Sequence, residues 1–243
     1  PLEPFHLCSE FHCQVYRGIE GVTPHTLRAV QETRGQVVTY RGFLIDSVFH
    51  ASCGGHTESY DHMWGGPEKR SMPGSPDGSG LADLSNEAGV ASFLTAPPKA
   101  WCGGQGIGSK SFRWTASISG ARLTKLINQR KEIGEVVAIR PLKRGQSGRA
   151  IAVEYQGTEG RYVAKGASVN RRLLGGLRSA LWMVQPQGLG EGEGPLRWFF
   201  IGGGFGHGVG LCQYGAIGMA KAGHGHRAIL KQYYRDTAIK KLW

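Results

Sequence analysis

The chain has 243 residues, of which 40% are hydrophobic, enough to bury the core of one large domain or two small ones. A formal charge of +11, spread over the whole sequence, favours anionic partners such as nucleic acid, acidic lipid or the bacterial wall. No apolar run reaches the ~18 residues of a membrane span, and no recognition helix, zinc finger or RNA-binding motif occurs, so nucleic acid is the weaker choice.

The first residues concentrate metal-binding side chains. Cys8, His12 and Cys13, with His6 nearby, have the thiolate and imidazole groups that zinc prefers. The spacing matches no common zinc finger, so a Cys8–Cys13 disulfide or two free thiols also remain open. Because the chain has 5 cysteines, one stays unpaired unless it binds a metal or another chain. The chain begins at Pro1 without a signal-peptide pattern or an initiator Met, and we interpret it as a fragment or a processed chain.

A helix and a hairpin come next in the chain. The pattern predicts a helix over Leu27 to Thr33, capped by Thr26, and two strands at residues 36–40 and 43–50. The second strand leads into a loop in which Ser52 lies between two histidines. No G-x-S-x-G elbow surrounds this serine, so we do not assign it as a nucleophile.

Residues 60–105 are rich in Gly, Pro and Ser and are predicted to form long loops, which are often functional rims or lids. Beyond them, alternating and amphipathic patterns predict a helix at residues 121–131 and a helical or turn segment at residues 166–176. The strands predicted in this part are at residues 112–118, 135–143, 150–156, 161–165, 180–184 and 198–201.

A glycine-rich segment at residues 202–210 has six glycines in nine positions and a single His207. It follows a strand and precedes two predicted helices, at residues 213–221 and 226–234. Glycine lets a ligand approach the main chain closely, so the segment is a candidate site floor. It lacks the Lys-Ser/Thr of a P-loop and the βαβ setting of a dinucleotide site. The predicted fold class is α+β, with many short antiparallel strands in a single domain over residues 1–243.

Three segments together resemble the stage II sporulation protein D family, whose relatives include amidase-enhancer proteins. They are the His50 to Thr57 stretch, the Arg171 to Ser179 stretch, and the Gly206 to Ala216 stretch with the Ile229 to Tyr234 stretch after it. The resemblance implies a peptidoglycan-binding domain of the bacterial envelope or periplasm. It also implies partnership with a cell-wall amidase and an α+β fold around a glycan-binding cleft.

The resemblance further implies lytic transglycosylase chemistry on glycan strands stripped of their peptides. One protonated Glu would donate its proton to the oxygen between N-acetylmuramic acid and N-acetylglucosamine, and the muramic 6-hydroxyl would close a 1,6-anhydro ring. That Glu belongs to a Glu-X-Pro-like motif before an Ala-rich helix, and no Glu here has this context. Glu3-Pro4 is too close to Cys8, so we expect the acid upstream of Pro1 and this chain to be inactive alone.

The remaining site residues follow from the resemblance by position. Some family members hold a zinc ion beside the cleft, and Cys8, His12 and Cys13 resemble its ligands, although no cofactor is expected to be required. An aromatic ring at Phe205 would suit stacking on a sugar or packing in the core. The residues expected to shape the cleft or bind sugar are Ser52, Gly54, Gly55, Thr57, Phe205, His207, Gly208, Gln213 and Tyr214.

Two functions are therefore expected. The first is a peptidoglycan-binding, wall-remodelling domain of the lytic transglycosylase type without its catalytic Glu. The alternative is a non-catalytic wall-binding module that stimulates an N-acetylmuramoyl-L-alanine amidase, which the missing acid and the positive charge favour.

Overall fold

The computed structural model describes residues 18–80, 83–103, 109–190 and 192–243. The expected zinc ligands Cys8, His12 and Cys13, and Glu3 with them, lie outside the described residues. The described residues form eight α-helices, eleven strands and two short 3₁₀ turns, which confirms the α+β class. None of the helices they form is long and apolar enough to cross a membrane.

The helices are short. The 3₁₀ turns cover residues 18–21 and 101–103. The α-helices are α1 (Pro24–Glu32), α2 (Tyr60–Trp64), α3 (Glu87–Thr95), α4 (Ser109–Phe112), α5 (Gly120–Asn128), α6 (Ala167–Leu173), α7 (Gln213–Lys221) and α8 (His226–Tyr233). Of these, α1, α3, α5 and α7 each begin with a side-chain N-cap.

The strands form four small sheets. They are β1 (Gln36–Tyr40), β2 (Phe43–Leu44), β3 (Phe49–His50), β4 (Arg113–Ser119), β5 (Val136–Arg144), β6 (Ala150–Gly157), β7 (Arg161–Lys165), β8 (Trp182–Leu189), β9 (Pro195–Gly203), β10 (Leu211–Cys212) and β11 (Thr237–Lys241). The spatial orders are β11-β1-β2, β4-β9-β8, β5-β6-β7 and the pair β10-β3. All pairings are antiparallel except β10-β3, which is parallel.

The main core lies between the β4-β9-β8 and β5-β6-β7 sheets, where α5 and α6 cover them. Trp182, Tyr155 and Phe200 are fully buried there, and Leu123 and Ile127 of α5 pack on the same cluster. This confirms that the apolar face of the predicted helix at residues 121–131 belongs to the core. Separate, smaller clusters pack beneath the loops that follow β3 and β9.

Three sequence predictions differ from the structure. The predicted loop at residues 60–105 contains α3, capped by Asn86 and anchored by Val90, Phe93 and Leu94. The predicted strand at residues 43–50 divides into β2 and β3, which belong to different sheets. The helix α1 begins at Pro24 because Thr23, not Thr26, is its N-cap.

Candidate functional site

Two loops that the sequence singled out lie side by side in the structure. The parallel pairing of β3 with β10 places Phe49 opposite Leu211 and His50 opposite Cys212. The loop after β3, residues 51–59, therefore starts beside the end of the glycine-rich loop, residues 202–210. This pairing joins segments about 160 residues apart in sequence, and its two-residue strands carry too little pattern to predict it.

The two loops touch directly through their main chains. Ser52 and Phe205 exchange two backbone hydrogen bonds, of 3.1 and 2.8 Å, and the Glu58 N–H donates to the Gly208 carbonyl at 2.8 Å. A glycan strand therefore has no room between these loops. Any glycan strand that binds here must lie across the solvent-exposed side of the two loops.

Gly54 and Gly208 allow this close approach. A Cβ on Gly54 would lie 2.7 Å from the Gly204 nitrogen, and one on Gly208 would lie 2.3 Å from the Arg149 guanidinium carbon. Both glycines also have positive φ, at +76° and +87°, which favours glycine. The glycines predicted for the site thus hold the loops together, and a ligand is not needed to explain them.

The structure buries several of the predicted site side chains. Ser52 is fully buried and its hydroxyl accepts from the Gly54 N–H at 3.3 Å, while Thr57 donates to the Ser75 carbonyl at 3.1 Å. Gly55 is likewise buried, against Phe93. These residues are positioned to shape the site from beneath, and a direct contact of any of them with sugar stays a prediction.

Other predicted residues reach the surface. Phe205 is 42% exposed, Gln213 is exposed at the start of α7, and Tyr214 is half-buried with its N–H bonded to the Ala51 carbonyl at 3.0 Å. His207 is partly exposed at the rim of the glycine-rich loop.

Both ring nitrogens of His207 are committed to the protein. The Val209 N–H lies 3.0 Å from Nδ1, which must accept, so Nε2 carries the proton and donates to the Phe49 carbonyl at 2.9 Å. Burial, with the nearby His50 ring and Arg149, lowers the pKa of His207 to about 3. The imidazole is therefore neutral, and it bonds the glycine-rich loop to β3. The face of its ring, and not its nitrogens, is free to contact a ligand.

His207 also belongs to an aromatic patch, which it forms with Tyr60 and Trp64. The Trp64 ring centroid is 4.9 Å from that of His207 and 4.8 Å from that of Tyr60. Trp64 is 47% exposed, and the Lys69 amino group lies 3.8 Å from the Tyr60 ring centroid. The sequence reasoning missed this patch because it treated residues 60–105 as loop, although the Tyr-x-x-x-Trp spacing places both rings on one face of a helix.

A buried pair of charges lies beneath the two loops. Glu58 is 1% exposed and Arg149 is fully buried. The Glu58 carboxylate accepts from the Ser147 hydroxyl at 2.6 Å, and Arg149 donates to that same hydroxyl at 2.8 Å and to the Cys53 carbonyl at 2.9 Å. The residues 145–149, which join β5 to β6, are thereby bonded to the loop after β3.

Glu58 is ionised in this setting. Burial alone would raise its pKa, but hydrogen bonds from His62 and Ser147 and the charge of Arg149 outweigh it and lower the pKa below its ordinary value. A general acid for glycoside cleavage must hold its proton, so Glu58 does not fit that role. Asp77, the other buried carboxyl of this region, has no exposed surface.

We expect acid to destabilise the protein through His50 and His207. Burial lowers the pKa of each to about 3, against an ordinary 6.5, so between these values the unfolded chain binds more protons. Each group stabilises the fold fully above pH 6.5, and its contribution falls by about 2 kcal/mol at pH 5. His62 has the opposite effect on stability: Glu58 raises its pKa, so its protonation stabilises the folded state at low pH.

Urea unfolding at pH 7.5 and pH 5.0 measures this effect. The expected result is a free energy of unfolding lower by several kcal/mol at pH 5.0. An equal or higher value at pH 5.0 would contradict the buried neutral state of both imidazoles.

The chain matches two protein-family models. Residues 58–210, more than half of the chain, match the family model described as a domain of unknown function (DUF8618), and residues 2–40 match the model described as a stage II sporulation protein, SpoIID. The first match spans Glu58, Arg149 and His207.

Two curated relatives were found. An uncharacterized protein of Brachyspira hyodysenteriae is 27% identical over 97% of this chain and 54% of its own length. The amidase enhancer of Bacillus subtilis is 25% identical over 93% of this chain and 34% of its own length. The chain thus spans about half or a third of these relatives. It belongs to the DUF8618 family and is a SpoIID-like protein.

Proposed function

We propose that this chain is a peptidoglycan-binding domain that holds glycan strands of the bacterial wall during remodelling, outside the cytoplasm. The observation that carries the proposal is the aromatic patch of Tyr60, Trp64 and His207. The half-exposed Trp64 ring offers an apolar face to the C–H face of a sugar, and the polar edge of the indole can bond to its hydroxyls. His207 is fixed by two hydrogen bonds, so little ordering is needed on binding.

The charge of the chain supports the same proposal. A formal charge of +11 attracts an anionic polymer from a distance and raises its local concentration at the surface. Lys69 lies at the edge of the aromatic patch, but its amino group is already paired with Asp46, so the support comes from the charge of the chain as a whole. This attraction weakens as salt is added.

We propose that the described residues bind the glycan and do not donate a proton to its glycosidic oxygen. Lytic transglycosylase cleavage needs a protonated carboxyl that reaches the glycosidic oxygen. Glu58 is ionised and buried, and Asp77 has no exposed surface. We therefore propose that the described part of the chain supplies the glycan contact and no acid, and that a Glu for that chemistry would have to come from elsewhere in the protein.

Amidase stimulation is the second candidate. The relative from Bacillus subtilis is named an amidase enhancer, and the match covers 93% of this chain. A domain that holds a glycan strand without cleaving it could present the attached peptides to an N-acetylmuramoyl-L-alanine amidase. Glycan binding is common to both candidates.

Co-sedimentation with purified sacculi and with peptide-free glycan strands tests the proposal. We expect the chain to bind both, more weakly as salt rises, and to release no 1,6-anhydro-muramic product. Failure to sediment with either polymer would contradict the proposal, and an anhydro product would overturn the placement of binding alone. A parallel assay with an added amidase, in which faster peptide release is expected, tests the second candidate.

A further inference from the structure

Four ligand-type side chains meet in the interior behind the two loops. Cys53 lies in the loop after β3, Asp77 in the segment before α3, Cys102 in the 3₁₀ turn at residues 101–103, and Cys212 at the N-cap of α7. Their donor atoms all lie within 4.8 Å of one another, and all four residues are buried. None of these three cysteines is in a disulfide.

The donor set and spacing suit a tetrahedral zinc ion. Zinc prefers thiolate sulfur and also takes carboxylate oxygen, and it is four-coordinate in structural sites. With Zn–S bonds of about 2.3 Å, the sulfurs of a tetrahedron lie about 3.8 Å apart. The Cys53 and Cys102 sulfurs are 3.5 Å apart, so an ion needs only a small outward movement of the ligands.

Outer hydrogen bonds already orient the four donors. Backbone N–H groups of Cys53 and Gly215 lie 3.2 and 3.3 Å from the Cys212 sulfur. Asp77 accepts from the Cys102 N–H at 2.9 Å and from the Tyr233 hydroxyl at 2.5 Å. Such bonds to sulfur and to a ligating carboxylate are typical of the surroundings of protein metal sites.

Asp77 also has no cation to balance it. No Lys, Arg or His among the described side chains forms an ion pair with this fully buried carboxyl. A buried carboxylate is costly unless it is paired or coordinates a metal. A divalent cation among the thiolates would balance the charge of Asp77 and coordinate its oxygen.

We propose that Cys53, Asp77, Cys102 and Cys212 form a structural zinc site that joins the loop after β3, the turn at residues 101–103 and the start of α7. All four ligands come from the protein and the site is closed, so its role is structural. Cys53 follows Ser52, which pairs with Phe205, and Cys212 pairs with His50 in the β3-β10 bridge. The ion would therefore fix the base of the two loops that pair through Ser52 and Phe205.

The test uses the whole chain with Cys8→Ser and Cys13→Ser, so that the first residues contribute no thiolate. We expect about one zinc per chain by elemental analysis of this variant, and thiolate-to-metal charge-transfer absorption when cobalt replaces zinc. Removal of the metal by a chelator should lower the melting temperature by at least about 5 °C.

Two further variants separate metal binding from folding. Cys53→Ser with Cys102→Ser should abolish zinc and the cobalt absorption. Asp77→Asn keeps all three thiolates and should retain the cobalt absorption while binding zinc more weakly. A folded Cys8→Ser, Cys13→Ser chain that holds neither zinc nor cobalt would overturn the proposal, as would a disulfide among Cys53, Cys102 and Cys212 found by mass spectrometry of the protein as isolated.

Discussion

Glu58→Gln is expected to lower the free energy of unfolding by about 3–5 kcal/mol, because it leaves the buried Arg149 without a compensating charge. The carboxylate accepts from six groups at 2.6 to 3.5 Å, which are the N–H groups of Ser59, Gln146 and Ser147, the hydroxyls of Ser59 and Ser147, and the His62 ring. In Gln an NH₂ donor replaces one of the accepting carboxylate oxygens, so it would face groups that themselves donate. Urea unfolding followed by circular dichroism measures the change.

A double-mutant cycle identifies the cause of this loss. Arg149→Met together with Glu58→Gln should cost less than the sum of the two single changes, because no charge is left unpaired. Glu32→Gln, which breaks the exposed pair with Arg28, is the matched control and should leave the stability nearly unchanged. Strictly additive losses in the cycle would show that the two charges do not act as a pair.

Gly54→Ala is expected to lower the free energy of unfolding by about 2–5 kcal/mol and to separate the two loops. Its φ of +76° costs a non-glycine residue about 1–2 kcal/mol, and overlap in a packed interior adds about 1–3 kcal/mol. The atoms that a Cβ would meet are main-chain atoms of Gly203 and Gly204, at 2.8 and 2.7 Å, so no side chain can turn aside.

Gly176→Ala is the matched control for backbone strain. Gly176 has a similar φ of +83°, but a Cβ there would meet nothing within 4 Å. The control should therefore lose only the free energy of unfolding that backbone strain costs. The difference between the losses of the two variants measures the cost of steric overlap between the loops. Equal losses for both would contradict the direct contact between the loops.

The sequence predicted well those parts whose pattern is local. The strands over residues 150–156 and 161–165 and the helix at residues 213–221 are confirmed almost to the residue, because alternation and helical periodicity are complete within each segment. The β11 strand, which pairs with β1, was missed because it is mostly exposed and carries two lysines. The α3 helix was missed because Gly and Ser interrupt its apolar face.

Parts of the candidate site are also visible in local sequence patterns. Glycine density around His207 and the small residues around Ser52 are visible locally, and the structure places the two loops together. The Glu58–Arg149 pair and the cluster of Cys53, Asp77, Cys102 and Cys212 join segments far apart in sequence. Only the fold brings those side chains together, so no local spacing could have revealed them.

We propose that a glycan strand binds at the aromatic patch of Tyr60, Trp64 and His207. Co-sedimentation with peptide-free glycan strands compares the affinities of Trp64→Ala and Trp243→Ala. Trp243 is a suitable control because it is also exposed, at 70%, but lies outside the patch. Loss of one stacked ring, worth about 0.5–1.5 kcal/mol, predicts binding about two- to tenfold weaker for Trp64→Ala and unchanged binding for Trp243→Ala. Unchanged binding by a folded Trp64→Ala chain, or an equal loss in both variants, would contradict the account.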